Sequence, residues 1–348
     1  MRFLILGGTR FLGRHIAQQA LAAGHHVTLL HRGRSHAGLF PQAEHRIADR
    51  DGDLAVLDGI DTWDSVIDTS AYVPRQVRAV AAKLAGRVGQ YQLVSSISAY
   101  ADLSPGADLA ATVDESAPLA ALADPTVEAI TGDTYGGLKV LCEQAAQDAF
   151  AGRCLVPRPG LIVGPHDPTG RFTWWMQRFA RATPGSEVIA PGRPDAPVQF
   201  IDARDLAAWM LLQADRSTVG VFNLTGPDAP LRWGDFLDAA REALAPAAQL
   251  AWVDEAFVLA QGIAPWSDLP VWLPTSDEGL HRVSIARALA TGLQGRPLRE
   301  TIVDTAAWTA AAPPAAPAPA GGSARPSVGL TPEREAALLA AWKARPAR

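Results

Sequence analysis

The chain opens on a short apolar run, Phe3 to Leu6, which breaks at Gly7-Gly8 and passes into Phe11-Leu12-Gly13-Arg14-His15-Ile16-Ala17, a stretch of helical character. Such a run, ended by a glycine turn and a helix, predicts a buried parallel strand and its first crossover helix. The alternation continues. Further strands are predicted at His26–Leu30, Glu44–Ala48, Trp63–Asp68, Tyr91–Val94, Arg153–Val156 and Gly220–Leu224. Pro74 stands at a favoured first-turn position of a helix whose Val77, Val80, Ala81 and Leu84 recur at helical spacing, and a second helix is predicted from Thr134 to Phe150. Strands and helices in alternation predict an α/β fold built on a parallel sheet.

The rest of the pattern is less regular. Asp102 to Asp133 is rich in Ala, Pro and acidic residues and predicts a long loop around Asp114-Glu115. Phe172 to Arg181 predicts a helix whose Phe172, Trp174, Trp175 and Phe179 suit either an apolar substrate pocket or a second core. Trp233 to Leu244 predicts an amphipathic helix, and Gln249–Val253, Glu255–Gln261 and Ser284–Leu293 complete a smaller mixed lobe that ends near Trp308. Ala310 to Pro326, rich in Ala, Pro and Gly, cannot bury a core and predicts a flexible linker. Thr331 then caps a helix to Lys343 with Pro332 in its first turn, expected to dock on the body or on another subunit.

Composition narrows the class. With 348 residues, 48% hydrophobic and 19% charged, the chain can bury a large core. A net charge of −5 argues against a general nucleic-acid footprint. Cys142 and Cys154 make no metal-spaced motif, so no metal is expected, and a reducing compartment is the simplest setting. The run after Arg2 is too short for a signal peptide and none approaches membrane-spanning length, so a soluble, cytoplasmic protein is expected.

Three stretches carry chemistry. The turn from Gly7 to Gly13 lets backbone N–H groups and a helix N-terminus approach a pyrophosphate, as a dinucleotide site requires. The second strand ends in His31-Arg32-Gly33-Arg34, not in the acidic residue that binds the ribose hydroxyls of NAD. A positive cluster there suits a 2′-phosphate and favours NADP, with NAD possible; a solvated basic loop is the alternative. Tyr135 and Lys139, four apart on a helix, share a face, and Lys139 is one of only three lysines. A nearby ammonium would lower the phenol's pKa and make Tyr135 an acid/base, with Lys139 as the source of that charge.

G-G-T-R-F-L-G from Gly7 to Gly13, Ser95-Ser96-Ile97-Ser98-Ala99-Tyr100 and Tyr135-Gly136-Gly137-Leu138-Lys139 follow one another in order. Together they resemble an atypical subgroup of the extended short-chain dehydrogenases/reductases, the NAD-dependent epimerase/dehydratase family, over about Met1 to Trp308. The resemblance implies a Rossmann-like, doubly wound parallel sheet over 1–164, rejoined by about 198–225, with a substrate lobe from 165–197 and 226–309, a linker at 310–330 and a tail at 331–348. It implies Ser96, Tyr135 and Lys139 as the catalytic set, with Ser96 holding the substrate oxygen. It places a cofactor along Gly7, Gly8, Thr9, Arg10, Phe11, Leu12 and Gly13, on Arg32, Asp49 and Arg50, on Thr69, Ser70 and Ala71, and at Pro159. Arg10, standing where the middle glycine of the fingerprint is usual, would reach a cofactor phosphate, and Asp49 the adenine amino group.

The implied activity is an NAD(P)-dependent oxidoreductase acting on a carbonyl/alcohol carbon of a small molecule. An epimerase/dehydratase on a sugar or nucleotide-sugar is the alternative, as is an RNA-binding or cofactor-sensing protein, which the acidic balance and the intact Tyr/Lys pair oppose. Ser98, His166 and Arg171 are candidate substrate contacts, and family members often form homodimers. Four departures bear on the substrate. The relay asparagine upstream of the tyrosine is missing, and Ile97-Ser98 replaces the Asp-Glu pair of the 4,6-dehydratases. Leu161 and Val198 replace the asparagine and arginine that nucleotide-sugar enzymes place on the pyrophosphate, although Arg193 or Arg171 could substitute.

Overall fold

Phe3, Leu4, Ile5 and Leu6 of β1 (Arg2–Leu6) are buried because the strand lies inside a parallel sheet covered on both faces. A computed structural model describes residues 1–36, 38–104, 112–311 and 328–345. From β1 the chain runs through α1 (Phe11–Ala22), β2 (His26–His31), β3 (Glu44–Ile47), β4 (Trp63–Asp68), α2 (Pro74–Leu84), β5 (Val88–Leu93), α3 (Gly132–Ala149) and β6 (Cys154–Pro159). It then crosses between body and lobe through β7 (Ile162–Val163), α4 (Arg171–Ala180), β8 (Glu187–Pro191), β9 (Pro197–Val198), β10 (Ile201–Asp202), α5 (Ala203–Asp215) and β11 (Gly220–Leu224). The remainder comprises β12 (Leu231–Arg232), α6 (Trp233–Leu244), β13 (Gln249–Val253), α7 (Glu255–Ala260), α8 (Ala286–Ala290), α9 (Leu298–Ala311) and α10 (Pro332–Ala344).

Among the described residues, seven parallel strands order as β11-β6-β5-β4-β1-β2-β3. The strand order reverses between β1 and β4, which opens a crevice at their C-terminal ends. α1 and α5 cover one face through Ile16, Ala20, Leu206 and Met210; α2 and α3 cover the other through Val77, Val80 and Ala146. β6 outruns its predicted end and holds Pro157 and Pro159 inside the sheet. This is tolerated because its pairing with β5 stops at Leu155. Beyond that point Pro157 contributes only its carbonyl, which accepts from Ser95 N at 2.8 Å.

The aromatic helix is core and not pocket wall. Phe172, Trp175 and Phe179 of α4 are fully buried against Trp233 and Phe236 of α6 and against β8. The buried indole N–H groups of Trp175 and Trp233 find the carbonyls of Pro270 and Pro191 at 2.6 and 3.1 Å. α10 docks on this lobe of its own chain: Leu338 and Leu339 join the core, and Glu335 accepts from Arg178 Nε at 2.5 Å and from Ile189 N at 3.1 Å. α9 continues to Ala311, two residues into the predicted linker, most of which, 312–327, lies outside the described residues, as do 105–111 of the long loop and 346–348 of the tail. That loop is tied to the sheet at Glu115, which accepts from Asn223 N at 2.8 Å.

Candidate active site

A cavity of about 640 Å³ runs across the C-terminal edge of the sheet, from the first glycine turn and the loop after β2 to Tyr135 and Lys139 on α3. At one end the turn after β1 is tight enough to demand glycine. A Cβ on Gly13 would lie 2.3 Å from Gly7 O, and one on Gly7, whose φ is 94°, would lie 2.7 Å from Thr69 Oγ1. α1 starts with no side-chain cap and no acidic residue in its first turn, so its first N–H groups are left for an anion. Arg10, at the N-cap, is exposed and borders the cavity. Thr9, Phe11 and Leu12 border it too, whereas Gly8 does not: it packs on Leu29, where a Cβ would meet Cδ2 at 2.5 Å.

Arg32 and Arg34 line the cavity from the loop after β2, and Asp49 lines it after β3. Arg50 borders it in a different capacity from the one expected. Its two Nη atoms grip Asp68 Oδ1 and Oδ2 at 2.8 and 2.9 Å, and Nη1 also reaches Ser70 Oγ at 3.0 Å. Burial alone would raise the Asp68 carboxyl, but the Arg50 guanidinium holds it below the usual range, and Tyr91 OH and Ser70 N donate to it as well. Arg50 is therefore wall and brace, and its Nη donors are not free for a phosphate. The sequence lacked the cue, because Asp68 reads as the end of an ordinary strand.

At the other end, Lys139 is buried and donates to Ala71 O at 2.8 Å and Val94 O at 2.9 Å, which leaves one of its three donors. Ala71 thus contributes a carbonyl to the lysine and does not itself line the cavity. The Tyr135 hydroxyl faces Ser96, whose Oγ also accepts from Ser98 N at 3.1 Å and so caps the short turn from Ile97 to Ala99. Gly136 explains how turn and helix meet: a Cβ there would lie 2.1 Å from Ser98 O. The expected acidification of the phenol is absent. Burial first, and the Tyr72 phenol second, push Tyr135 up to about 12, although the Ser96 hydrogen bond pulls the other way. Burial also lowers Lys139, whose ammonium lies 5.1 Å from the Tyr72 ring centroid and 5.9 Å from that of Tyr135.

The three candidate substrate contacts do not border the cavity. Ser98 is spent on Ser96. His166 packs between His15 and Trp308, at 5.7 and 5.3 Å between ring centroids, and burial with Arg14 beside it lowers its pKa to about 4. Arg171 lies over the Trp266 ring at 5.4 Å. Tyr72, at the end of the loop expected to face the cofactor, borders the cavity, as do Ile130 and Pro168, which the sequence had not singled out; Tyr72 and Ile130 are exposed. Among the described residues no cluster able to hold a metal occurs, and no helix is long and apolar enough to cross a membrane.

The profile of the NAD dependent epimerase/dehydratase family matches residues 3–224. The chain belongs to that family. It is an enzyme of an NAD-dependent class, and its seven-stranded body is the family's Rossmann-like core. Solved structures agree in fold. A candidate epimerase from Burkholderia cenocepacia is 21% identical with a TM-score of 0.65, over 89% of this chain and 98% of that one. A UDP-glucuronic acid 4-epimerase from Bacillus cereus, in complex with NAD, is 14% identical with a TM-score of 0.61, over 88% and 98%. A UDP-glucose 4-epimerase from Thermotoga maritima, with UDP-glucose, is 16% identical with a TM-score of 0.62, over 89% and 99%. No curated protein matches the sequence.

Of the two positions expected to depart from the nucleotide-sugar pattern, Val198 is 1% exposed in the lobe core and Leu161 is half-buried against it. Arg193 is occupied, with Nη2 at 2.6 and 2.7 Å from the two oxygens of buried Glu278 and Nη1 at 3.1 Å from Asp195.

Proposed function

We propose that this protein is an NAD(P)-dependent oxidoreductase that moves hydride to or from a carbonyl/alcohol carbon, with NADP favoured by Arg32 and Arg34. The observation that carries the reading is the convergence of Ser96, Tyr135 and Lys139 on the same 640 Å³ cavity whose far end is the Gly7–Gly13 turn. The uncapped α1 N-terminus and the glycine cradle fit a dinucleotide pyrophosphate. The nicotinamide supplies the hydride.

The chain supplies the rest. Lys139, held by two carbonyls, keeps a third donor that would hold the ribose of a bound dinucleotide. Ser96 orients the substrate oxygen toward Tyr135. Tyr135, protonated at neutral pH, gives its proton to that oxygen as hydride reaches the carbon. A protonated phenol suits carbonyl reduction. The substrate is a small molecule without a nucleotide diphosphate, a reading supported by Val198 lying in core, by Leu161 packing against it and by Arg193 being paired to Glu278.

Family membership favours a second reading, epimerisation, in which the cofactor is oxidised and re-reduced within one cycle. NADPH consumption over a panel of aldehydes and ketones separates them, since a recycling enzyme consumes none. Tyr135→Phe should abolish turnover and leave cofactor affinity nearly unchanged. A fully active variant would refute the role given to Tyr135.

A further inference from the structure

His31 closes β2, and His45 lies beside it on β3. Hydrogen bonding gives every ring nitrogen of this pair one role. His45 Nε2 lies 3.1 Å from Phe40 O, a group that only accepts, so this nitrogen carries a proton. The Gly33 amide donates to His31 Nδ1 at 3.1 Å, so that nitrogen is bare and the His31 proton sits on Nε2. His31 Nε2 then donates to the bare Nδ1 of His45 at 2.8 Å. The chain closes only with two neutral rings. A proton added to His31 sets an N–H against the Gly33 N–H. One added to His45 sets two N–H groups together between the rings, and a tautomer change at His31 merely moves the conflict to Gly33.

Gly33 lies between Arg32 and Arg34, and the whole segment from His31 to Ser35 borders the cavity. His31 is 7% exposed, so little water reaches it to absorb a mismatched donor. Among the described residues, no carboxylate hydrogen-bonds either ring. Glu44 on β3 accepts from Thr28 and Arg46, and β1, on the other side of β2, presents Leu6 beside Leu30. Arg32 and Arg34 follow on the loop and Asp49 follows β3, all facing the cavity.

We propose that His31, seated against His45, is a positioning residue that holds the Arg32–Ser35 loop in its nucleotide-binding shape only while the His31 imidazole is neutral, so that acidification releases the loop and weakens dinucleotide binding. This rests on the reading of the crevice as a dinucleotide site. The sign follows from linkage: burial, and then His45 beside it, hold the His31 imidazole below its ordinary 6.5 in the closed loop. Opening the loop returns His31 toward that value. Binding is therefore full above 6.5 and is lost as pH falls below it.

The test is titration of the full chain with NAD, whose charge is constant in this range, whereas the phosphomonoester of NADP itself titrates near about 6. The wild type should bind NAD about five- to tenfold more weakly at about pH 5.5 than at about pH 8, the size of one lost hydrogen bond. His31→Phe should bind weakly at both. His31→Asn, whose Oδ1 can accept from Gly33 and cannot take up a proton, should rescue binding relative to His31→Phe and abolish the acid loss; melting temperatures confirm that each variant is folded. A flat wild-type profile, or the same acid loss in His31→Asn, overturns the proposal alone. Failure of the wild type to bind NAD or NADP at about pH 8 overturns the dinucleotide reading with it.

Discussion

Replacing Glu143 with glutamine removes the carboxylate that pairs with the buried Arg158 guanidinium beneath Ser96. Glu143 on α3 accepts from Arg158 Nε at 2.9 Å and Nη2 at 2.6 Å, and from Ser95 Oγ at 2.5 Å. Both side chains of the ion pair are 3% exposed, and the Arg158 guanidinium also lies 4.8 Å from the Tyr100 ring centroid. One residue beyond Ser95 is Ser96, and α3 also carries Tyr135, so this pair fixes the serine strand end against the tyrosine helix. Stranding one charge of a buried pair costs about 3–5 kcal/mol. An unfolding entropy of about 2.1 cal/mol/K per residue, over 348 residues, gives about 0.7 kcal/mol/K, so the melting temperature should fall by about 4–7 °C. Differential scanning calorimetry reads this directly. Glu143→Met with Arg158→Met, which removes both charges and keeps much of the volume, should recover most of the loss. A single variant within about 1 °C of wild type, or a double variant no better than the single, would refute the reasoning.

Because burial keeps Tyr135 protonated with its pKa near 12, kcat for carbonyl reduction at saturating NADPH should show no alkaline fall below about pH 9; a fall centred near about 7 would contradict that assignment. Arg32→Ala should weaken NADP by about tenfold and NAD far less, as expected when one charge-assisted bond to the 2′-phosphate is lost; equal losses in Kd would contradict the part given to this loop. Gly136→Ala drives a Cβ to 2.1 Å from Ser98 O, so Ser96 and Tyr135 must separate, and kcat should fall at least about 100-fold with cofactor affinity kept. Unchanged kcat would show that the turn can yield.

What the sequence made legible was local. The β1 turn and α1 could be read from thirteen residues, because the glycines, the apolar run and the helical spacing are neighbours in the chain. Tyr135 and Lys139 could be placed on one face for the same reason. What it hid depends on contacts between distant segments. The Arg50–Asp68 grip spans 18 residues and converts an expected ligand contact into a brace. Gly136 reads as an odd helix residue until Ser98 O is found against it. Phe172, Trp175 and Phe179 would look the same in a pocket wall as in a core, and only the lobe around them decides. The phenol's pKa went the opposite way because spacing sets which groups are neighbours but not how much water reaches them, and burial, followed by the Tyr72 phenol, raises it.

The most direct test of the account is a crystal structure of this protein with NADP bound. The account predicts the pyrophosphate on the Gly7–Gly13 turn, the 2′-phosphate beside Arg32 and Arg34, and the nicotinamide between Lys139 and Tyr135. A dinucleotide with its ring turned away from Tyr135, or one bound outside this crevice, would contradict it.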